Sequence, residues 1–424
     1  MSKYVRQSKS LPKHPKLSSS DSPFAPVPAP VKPRERPGWS GPGYTKKGGI
    51  HIPRPPPPPK PVVVPPGDEH QALEKADQQL LLDCVRKAFP RCEEVEAFKE
   101  VLGRVEEAMG KGEWEVALKE TEMREAWVVK WGAERAVWFA NLLVKVVETL
   151  DDDPLFAILR GKRGNDEEDE DEEEQKAEEN DDEDDGEPLK VVSFGGGPAE
   201  VLALGGVIRH FRPDAHGKSK AELESSDSSS DDRQIIDLTL TNNINWTREI
   251  KTTHAALLSP PTLSKYASAS AIANSTPYLA KSALEPELCR FSALEASQEE
   301  VAEVVGEEAA LITLFYTVAD LAASSVAKTV ALLLKLTIAA PRGSLVVVFD
   351  HAEVEGKKGY PLRYLLDMAF LGKKPSGEDE EEGAKPAWKM LLADEERVVK
   401  ASEGLRYALE LETKKAQVYV FRRL

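Results

Sequence analysis

Residues 189–211 read LKVVSFGGGPAEVLALGGVIRHF. Leu189, Val191, Val192 and Phe194 predict a buried strand, and Ala199 to about His210 predicts a helix. Between them lie Gly195, Gly196, Gly197 and Pro198. Pro198 suits a first helical turn, where its missing N–H costs nothing. Three glycines let a backbone take positive φ and approach a ligand closely. The helix N-terminus is expected to offer free N–H groups and a positive dipole end to a carboxylate or phosphate. No Gly-Lys-Ser/Thr follows, so this is not a P-loop. The GxGxxG spacing of dinucleotide sites is also absent. A tight strand-to-helix turn with no ligand has the same local pattern, so the order of the flanking elements must decide.

Downstream, Ile235 to Leu240 predicts a second strand, Leu288 to Ala293 a weak third, and AALITLFYT (309–317) a strong fourth. Ser324 to Ala340 predicts a helix stopped by Pro341-Arg342-Gly343, and SLVVVF (344–349) a buried strand ending in Asp350. Tyr360 to Leu371 predicts another helix. Leu405 to Glu412 and Gln417 to Arg422 alternate, which predicts a terminal antiparallel hairpin at the sheet edge. Strands alternating with helices define an α/β fold with a mostly parallel sheet. Ligands of such sheets bind at the carboxyl ends of the strands, here beside the glycine turn.

Upstream, residues 67–162 carry a helical pattern. Leu81, Cys84, Val85 and Ala88 share one face, and Pro90 ends that helix. Glu93 to Met109 follows, broken by Gly110 and Gly112. In the longest helix, from about Glu122 to Leu150, Phe139, Leu142, Leu143, Val146, Val147 and Leu150 line one face. Trp114, Trp127, Trp131 and Trp138 cluster here. They read as core anchors or as platforms for unpaired bases; no Lys/Arg-rich face accompanies them.

The chain has 424 residues and a net charge of −17, unevenly spread. Residues 164–187 hold 17 acidic side chains and one lysine, and the rest of the chain sums to −1. Residues 1–66 hold 12 Lys/Arg against Asp21 and Glu35, with Pro55 to Pro59 consecutive. The expected layout is a disordered basic, Pro-rich arm (1–66), the helical region (67–162), an acidic disordered linker (163–188) and a domain (189–424) with disordered insertions near 214–233 and 372–386. The arm reads as a phosphate-tracking or nuclear-import segment, or as a solvated tail. The acidic linker reads as a spacer, or as a competitor of nucleic acid for the arm. Cys84, Cys92 and Cys289 form no CxxC pair, which argues against a disulfide framework or a cysteine-rich metal site and for a reducing compartment. No metal is expected. The best apolar run, Val326 to Ala340, is interrupted by Lys328 and Lys335, so no membrane partner is expected. The N-terminus lacks an apolar h-region.

Several stretches together resemble the fungal large-subunit (25S) rRNA uridine-N3 methyltransferase family. They are Val192 to Pro198, Asn245-Trp246, Leu311 to Phe315 with Asp320-Leu321, and Tyr360-Pro361 with Leu365-Leu366-Asp367. Leu82-Asp83, Ala88-Phe89-Pro90, Arg135-Ala136 and Trp138-Phe139 resemble its helical preface. The resemblance covers roughly residues 77–424. It implies a Rossmann-like class I methyltransferase sheet, S-adenosylmethionine (SAM) as cofactor, and N3 of a uridine in large-subunit rRNA as acceptor. It also implies rRNA or a pre-ribosomal particle as partner and the nucleus or nucleolus, with the cytoplasm as a further compartment. In that reading Phe194, Gly195, Gly196 and Gly197 face the methionine part of SAM. The acid that would hold the ribose falls nearest Asn242, with Asp237 five residues earlier. Asn245 replaces an Asp. Glu295 sits where an acid near the adenine amino group is expected. A bulky residue at Gly196 is expected to block the site without unfolding the domain.

Methyl transfer from a sulfonium is an in-line displacement, in which proximity and alignment supply much of the rate. Uridine N3 carries a proton that must leave, and a carboxylate or histidine is a suitable acceptor. Asp350, His351 and Asp320 are the candidates, since they follow the fifth and fourth predicted strands. A helix cap explains Asp320 and Asp350 equally well, and a surface loop explains His351. Phe315, Tyr316 and Tyr360 are candidate base platforms. Two other readings remain open: a SAM-fold methyltransferase acting on a protein or small molecule, and a non-catalytic ribosome-assembly or RNA-binding factor.

Overall fold

The computed structural model describes residues 72–161, 187–219, 233–263, 266–273, 275–352, 361–372 and 386–424. The expectations for the basic arm, for the acidic linker and for most of both insertions lie outside these residues. Seven strands form one sheet: β1 (Leu189–Phe194), β2 (Ile236–Asn242), β3 (Leu284–Arg290), β4 (Leu311–Phe315), β5 (Leu345–His351), β6 (Trp388–Val399) and β7 (Lys414–Arg423). Their order is β3-β2-β1-β4-β5-β7-β6. Strands β1 to β5 run parallel, and β7 is antiparallel to both β5 and β6. The chain order reverses between β1 and β4, so the crevice for a ligand opens at the carboxyl ends of those two strands.

The helices are α1 (Lys75–Ala88), α2 (Val95–Gly110), α3 (Trp114–Ala117), α4 (Thr121–Trp127), α5 (Ala133–Thr149), α6 (Ala157–Arg160), α7 (Pro198–Phe211), α8 (Thr247–Leu257), α9 (Ala269–Ala273), α10 (Gln298–Val305), α11 (Val318–Ala339) and α12 (Leu362–Leu371). A π turn, Val128–Gly132, joins α4 to α5. Successive strand residues face opposite sides of the sheet. Val191, Leu311, Val347 and Phe349 share a core with α1, α5, α7 and α8. Val192, Ile312, Val346 and Val348 share the other with α10, α11 and α12. Coverage on both sides explains why β4 and β5 read as unbroken apolar runs. The helical front end is part of the first core: the Phe139 ring on α5 lies 4.4 Å from Phe315 and 5.5 Å from Phe349. Helix α11 is long and apolar enough to cross a membrane by length and composition alone. Here its Thr329, Leu332, Leu333 and Leu336 are buried against the fold.

The terminal hairpin needs correction. Gln417 to Arg422 is within β7, but its partner is Trp388–Val399, not Leu405 to Glu412. Register shifts between Met390 and Leu392 and between Asp394 and Arg397 erase the alternation of β6 from the sequence. The 405–412 segment alternates for another reason. Tyr407, Leu409 and Leu411 pack on the front-end core, and the Tyr407 hydroxyl donates to Val129 O at 2.6 Å. The third strand forms four residues earlier than expected, and α11 starts at Val318 and is kinked at Ser325. Of the tryptophans, Trp127 and Trp138 are buried and Trp114 is exposed.

Candidate functional site

Gly195 has φ +76°, and a Cβ there would lie 2.6 Å from Thr317 Oγ1. That hydroxyl donates to Phe194 O at 2.7 Å and ties the glycine turn to the end of β4. A Cβ on Gly196 would fall 2.5 Å from Ser193 Oγ and 2.7 Å from Leu240 Cδ2, so Gly196 is glycine because the core beneath it is full. The expectation that a bulky residue there leaves the fold intact is therefore overturned. Gly197 differs: its Cβ would meet only the Trp246 indole, at 3.6 Å, an ordinary contact. Trp246 packs on Trp127, with ring centroids 5.3 Å apart.

The helix N-terminus after the turn is capped from within. Glu200 Oε2 accepts the Gly197 N–H at 2.7 Å, a link expected of an acid three residues past an N-cap. Gly195 N donates to Thr241 O, and Pro198 has no N–H to offer. The expected open anion site is thus largely filled by the Glu200 carboxyl. Burial pushes that carboxyl up to about 7, against the pull of the Gly197 and Glu200 N–H groups and of Arg135.

Tyr316 follows β4 in the left-handed region, at φ 53°. A non-glycine residue there carries strain of order 1 kcal/mol or more, held by its surroundings. Its N–H donates to Phe349 O at 2.6 Å. Its ring meets Phe349 at 5.1 Å and His351 at 4.4 Å. Arg135, the third residue of α5, places its guanidinium over both the Tyr316 ring (4.4 Å) and the Trp127 ring (4.9 Å).

Asp350 is fully buried, its Oδ2 accepting from Ala319 N and its Oδ1 from His351 N, each at 2.8 Å. Burial pushes it up to about 7, with Asp320 adding to the rise and the two N–H groups opposing it. Asp350 therefore fastens the start of α11 to the end of β5. Asp320 is exposed at the mouth, yet desolvation by neighbouring protein raises it too, against Arg135. His351, the last residue of β5, is also exposed.

The structure thus brings Gly195, Gly196, Gly197, Asp320, Asp350 and His351 to one sheet edge. Phe194, at the end of β1, is buried against Phe291 on the opposite face. Asn242 is at that edge, but its amide donates to Gly195 O (2.9 Å) and Gly196 O (3.0 Å) while Oδ1 accepts Ile244 N. It braces the turn instead of standing open for a ribose. Asp237 is a correction. It is the second residue of β2, paired with Lys190 and Glu285, and about 3.3 Å per residue puts it roughly 17 Å from the site edge. Glu295 follows β3 and is ion-paired with Lys328 at 2.5 Å. Asn245 lies just ahead of α8, and its Oδ1 accepts the Thr247 N–H and hydroxyl. Sequence reasoning missed Glu200, Arg135 and the Trp127–Trp246 pair. Only Glu200 had a local signal, its spacing from Gly197.

A parallel sheet with this strand order, a glycine turn after β1 and an antiparallel β7 inserted beside β5 defines a Rossmann-like methyltransferase fold. Residues 85–422 match the signature of a family described as "Putative SAM-dependent methyltransferase", and the chain belongs to that family. A comparison with curated proteins returns no match. Among solved structures the chain is similar to the CurJ carbon methyltransferase (10% identity, 80% of this chain and 70% of that one, TM-score 0.36). It is also similar to the 16S rRNA methylase ArmA (10% identity, 77% and 98%, TM-score 0.29). A third is a SAM-dependent methyltransferase from Anabaena variabilis (11% identity, 56% and 77%, TM-score 0.28). SAM is the cofactor of the family. The site fits it: the exposed Gly195 of the glycine turn, the Arg135 guanidinium and the exposed Asp320 carboxyl offer complementary groups to a ligand carrying both charge signs.

Proposed function

We propose that this methyltransferase acts on a nucleobase nitrogen, N3 of a uridine in large-subunit rRNA, within a pre-ribosomal particle in the nucleus or nucleolus. The resemblance of the motifs to the rRNA uridine-N3 family suggests the acceptor. One observation carries the chemistry: an exposed carboxyl with a raised pKa, Asp320, stands at the β4–β5 edge within electrostatic reach of Asp350 and Arg135. When bound, SAM supplies a methyl group on a positively charged sulfur. The protein's task is to align an acceptor with that methyl and to take the acceptor's proton. Asp320 is open to the acceptor and serves as proton acceptor. Asp350, with both oxygens on backbone N–H groups, holds Asp320's helix in place. His351, backed by Tyr316, offers a flat face to a base. Uridine N3 lies on the pairing edge, so the target must be unpaired or flipped out.

The test is mass-spectrometric quantification of 3-methyluridine in large-subunit rRNA. Cells carrying the gene, lacking it, or carrying Asp320→Asn are compared. The expected result is loss of about one residue per ribosome without the gene, and at least about tenfold less modification with Asp320→Asn. Unchanged 3-methyluridine without the gene would transfer the reading to a protein or small-molecule acceptor.

A further inference from the structure

The Arg135 guanidinium lies over two aromatic rings near the glycine turn, its Cζ 4.4 Å from the centre of the Tyr316 ring and 4.9 Å from that of Trp127. A guanidinium carries five N–H donors in a fixed fork. Among the described residues, Arg135 makes no hydrogen bond and no ion pair within 4 Å. Two of the nearby carboxyls are engaged by the protein elsewhere, and the third, Asp320, is exposed and makes no ion pair with it. Glu200 takes the Gly197 N–H, and Asp350 takes the Ala319 and His351 N–H groups. Yet the charge of Arg135 is felt by Glu200, Asp320, Asp350 and Tyr316, so it sits centrally among them. The arrangement fixes the fork and leaves its donors open.

The glycine turn makes the need for such a donor concrete. An α-amino acid ligand at this edge brings a carboxylate. The groups that would ordinarily receive it, the N–H groups of the helix N-terminus, are largely closed by Glu200 and Pro198. We propose that Arg135, delivered by the front-end helix α5, takes the α-carboxylate of the methionine part of SAM. The proposal rests on the reading of this sheet edge as the SAM site. The front end then completes the cofactor site and is more than a cover over the sheet. Planar guanidinium and carboxylate pair through two parallel hydrogen bonds, which a lysine cannot reproduce. The aromatic clamp lowers the entropy lost on pairing, since the fork is already oriented.

The experiment is calorimetric titration of wild-type, Arg135→Gln and Arg135→Lys protein with SAM and with decarboxylated SAM, which lacks only the carboxylate. Wild-type protein should bind SAM about tenfold to a hundredfold more tightly than the decarboxylated form. Arg135→Gln should lose that preference by weakening SAM alone. Arg135→Lys, which keeps the charge and not the fork, should fall between. Affinity for decarboxylated SAM that stays within about threefold in the variants shows that the pocket is intact. Equal weakening of both ligands would make Arg135 a structural residue and overturn the proposal, as would no weakening of either. Wild-type protein that binds neither ligand would instead overturn the reading of the edge itself.

Discussion

Glu200 shows how a single carboxyl can link the glycine turn to pH. Its folded-state pKa of about 7 lies above the 4.5 of an unperturbed glutamate, because burial disfavours its charge. Between those values the folded protein holds a proton that the unfolded chain has released. Raising the pH through that window therefore favours unfolding, and the stabilisation present below it is gone above about pH 7. The shift corresponds to roughly 3 kcal/mol at most. Glu200→Gln retains an oxygen for the Gly197 N–H and removes the titration. We expect urea denaturation between pH 5 and 8 to show a shallower loss of stability in this variant than in wild type. Asp350 titrates in the same direction and still contributes, so a residual slope is expected. Identical slopes in the two proteins would show that Glu200 does not carry the effect. Gly196 and Gly197 divide the same turn differently. The first is glycine for the core, where Ser193 and Leu240 leave no room, whereas a Cβ on the second would make only an ordinary contact with Trp246.

At the scale of elements, α7 is buried along most of its length. A Cβ on Gly206 would lie 3.1 Å from Leu81 Cδ1 and 3.4 Å from the Ala140 Cβ, so this glycine sets how closely α7 approaches α1 and α5. Gly206→Ala gains about 1 kcal/mol of helix propensity, which the tight contact offsets. Gly206→Leu must push the helices apart and should cost about 3 kcal/mol or more in urea denaturation. Near-wild-type stability of the leucine variant would mean that the packing is looser than the structure shows. Elements of this kind were legible where burial is two-sided. The apolar runs of β1, β4 and β5 and the glycine turn followed directly from the residues. β6 was not legible, because Asp394, Glu395 and Glu396 interrupt it where the register shifts. The bracing role of Asn242 and the position of Arg135 were not legible either. The first depends on carbonyls 46 and 47 residues away. The second depends on the π turn that sets the rotation of α5 against α4, and on a partner, Tyr316, far along the chain.

For the whole molecule, charge and fold place different demands on the chain. Helices α1, α5 and α7 and the strands share one core, and Arg124 on α4 pairs with the buried Glu249 on α8 at 2.9 Å. The catalytic reading therefore concerns residues from 72 onward as one body. That body is poorly suited to attract RNA by itself. Outside the arm and the acidic segment 164–187 the chain carries a net charge of −11. The first 66 residues carry 12 Lys/Arg and a net of +10, outside the matched family region. An attraction to phosphates that resides in these side chains is sequence-independent and strongly salt-dependent, with a slope of about 0.7 per phosphate contacted on a single strand. Removing residues 1–66 should then weaken binding to a large-subunit rRNA fragment by at least about tenfold near 100 mM salt, and flatten the dependence of affinity on salt. SAM affinity should be unchanged, because every group assigned to the cofactor lies downstream of the arm, between Arg135 and Asp320. Fluorescence anisotropy across a salt series, with calorimetry for SAM, separates the two demands. RNA affinity and salt slope that survive the deletion would assign the attraction to the acidic body itself, through local clusters that its net charge conceals.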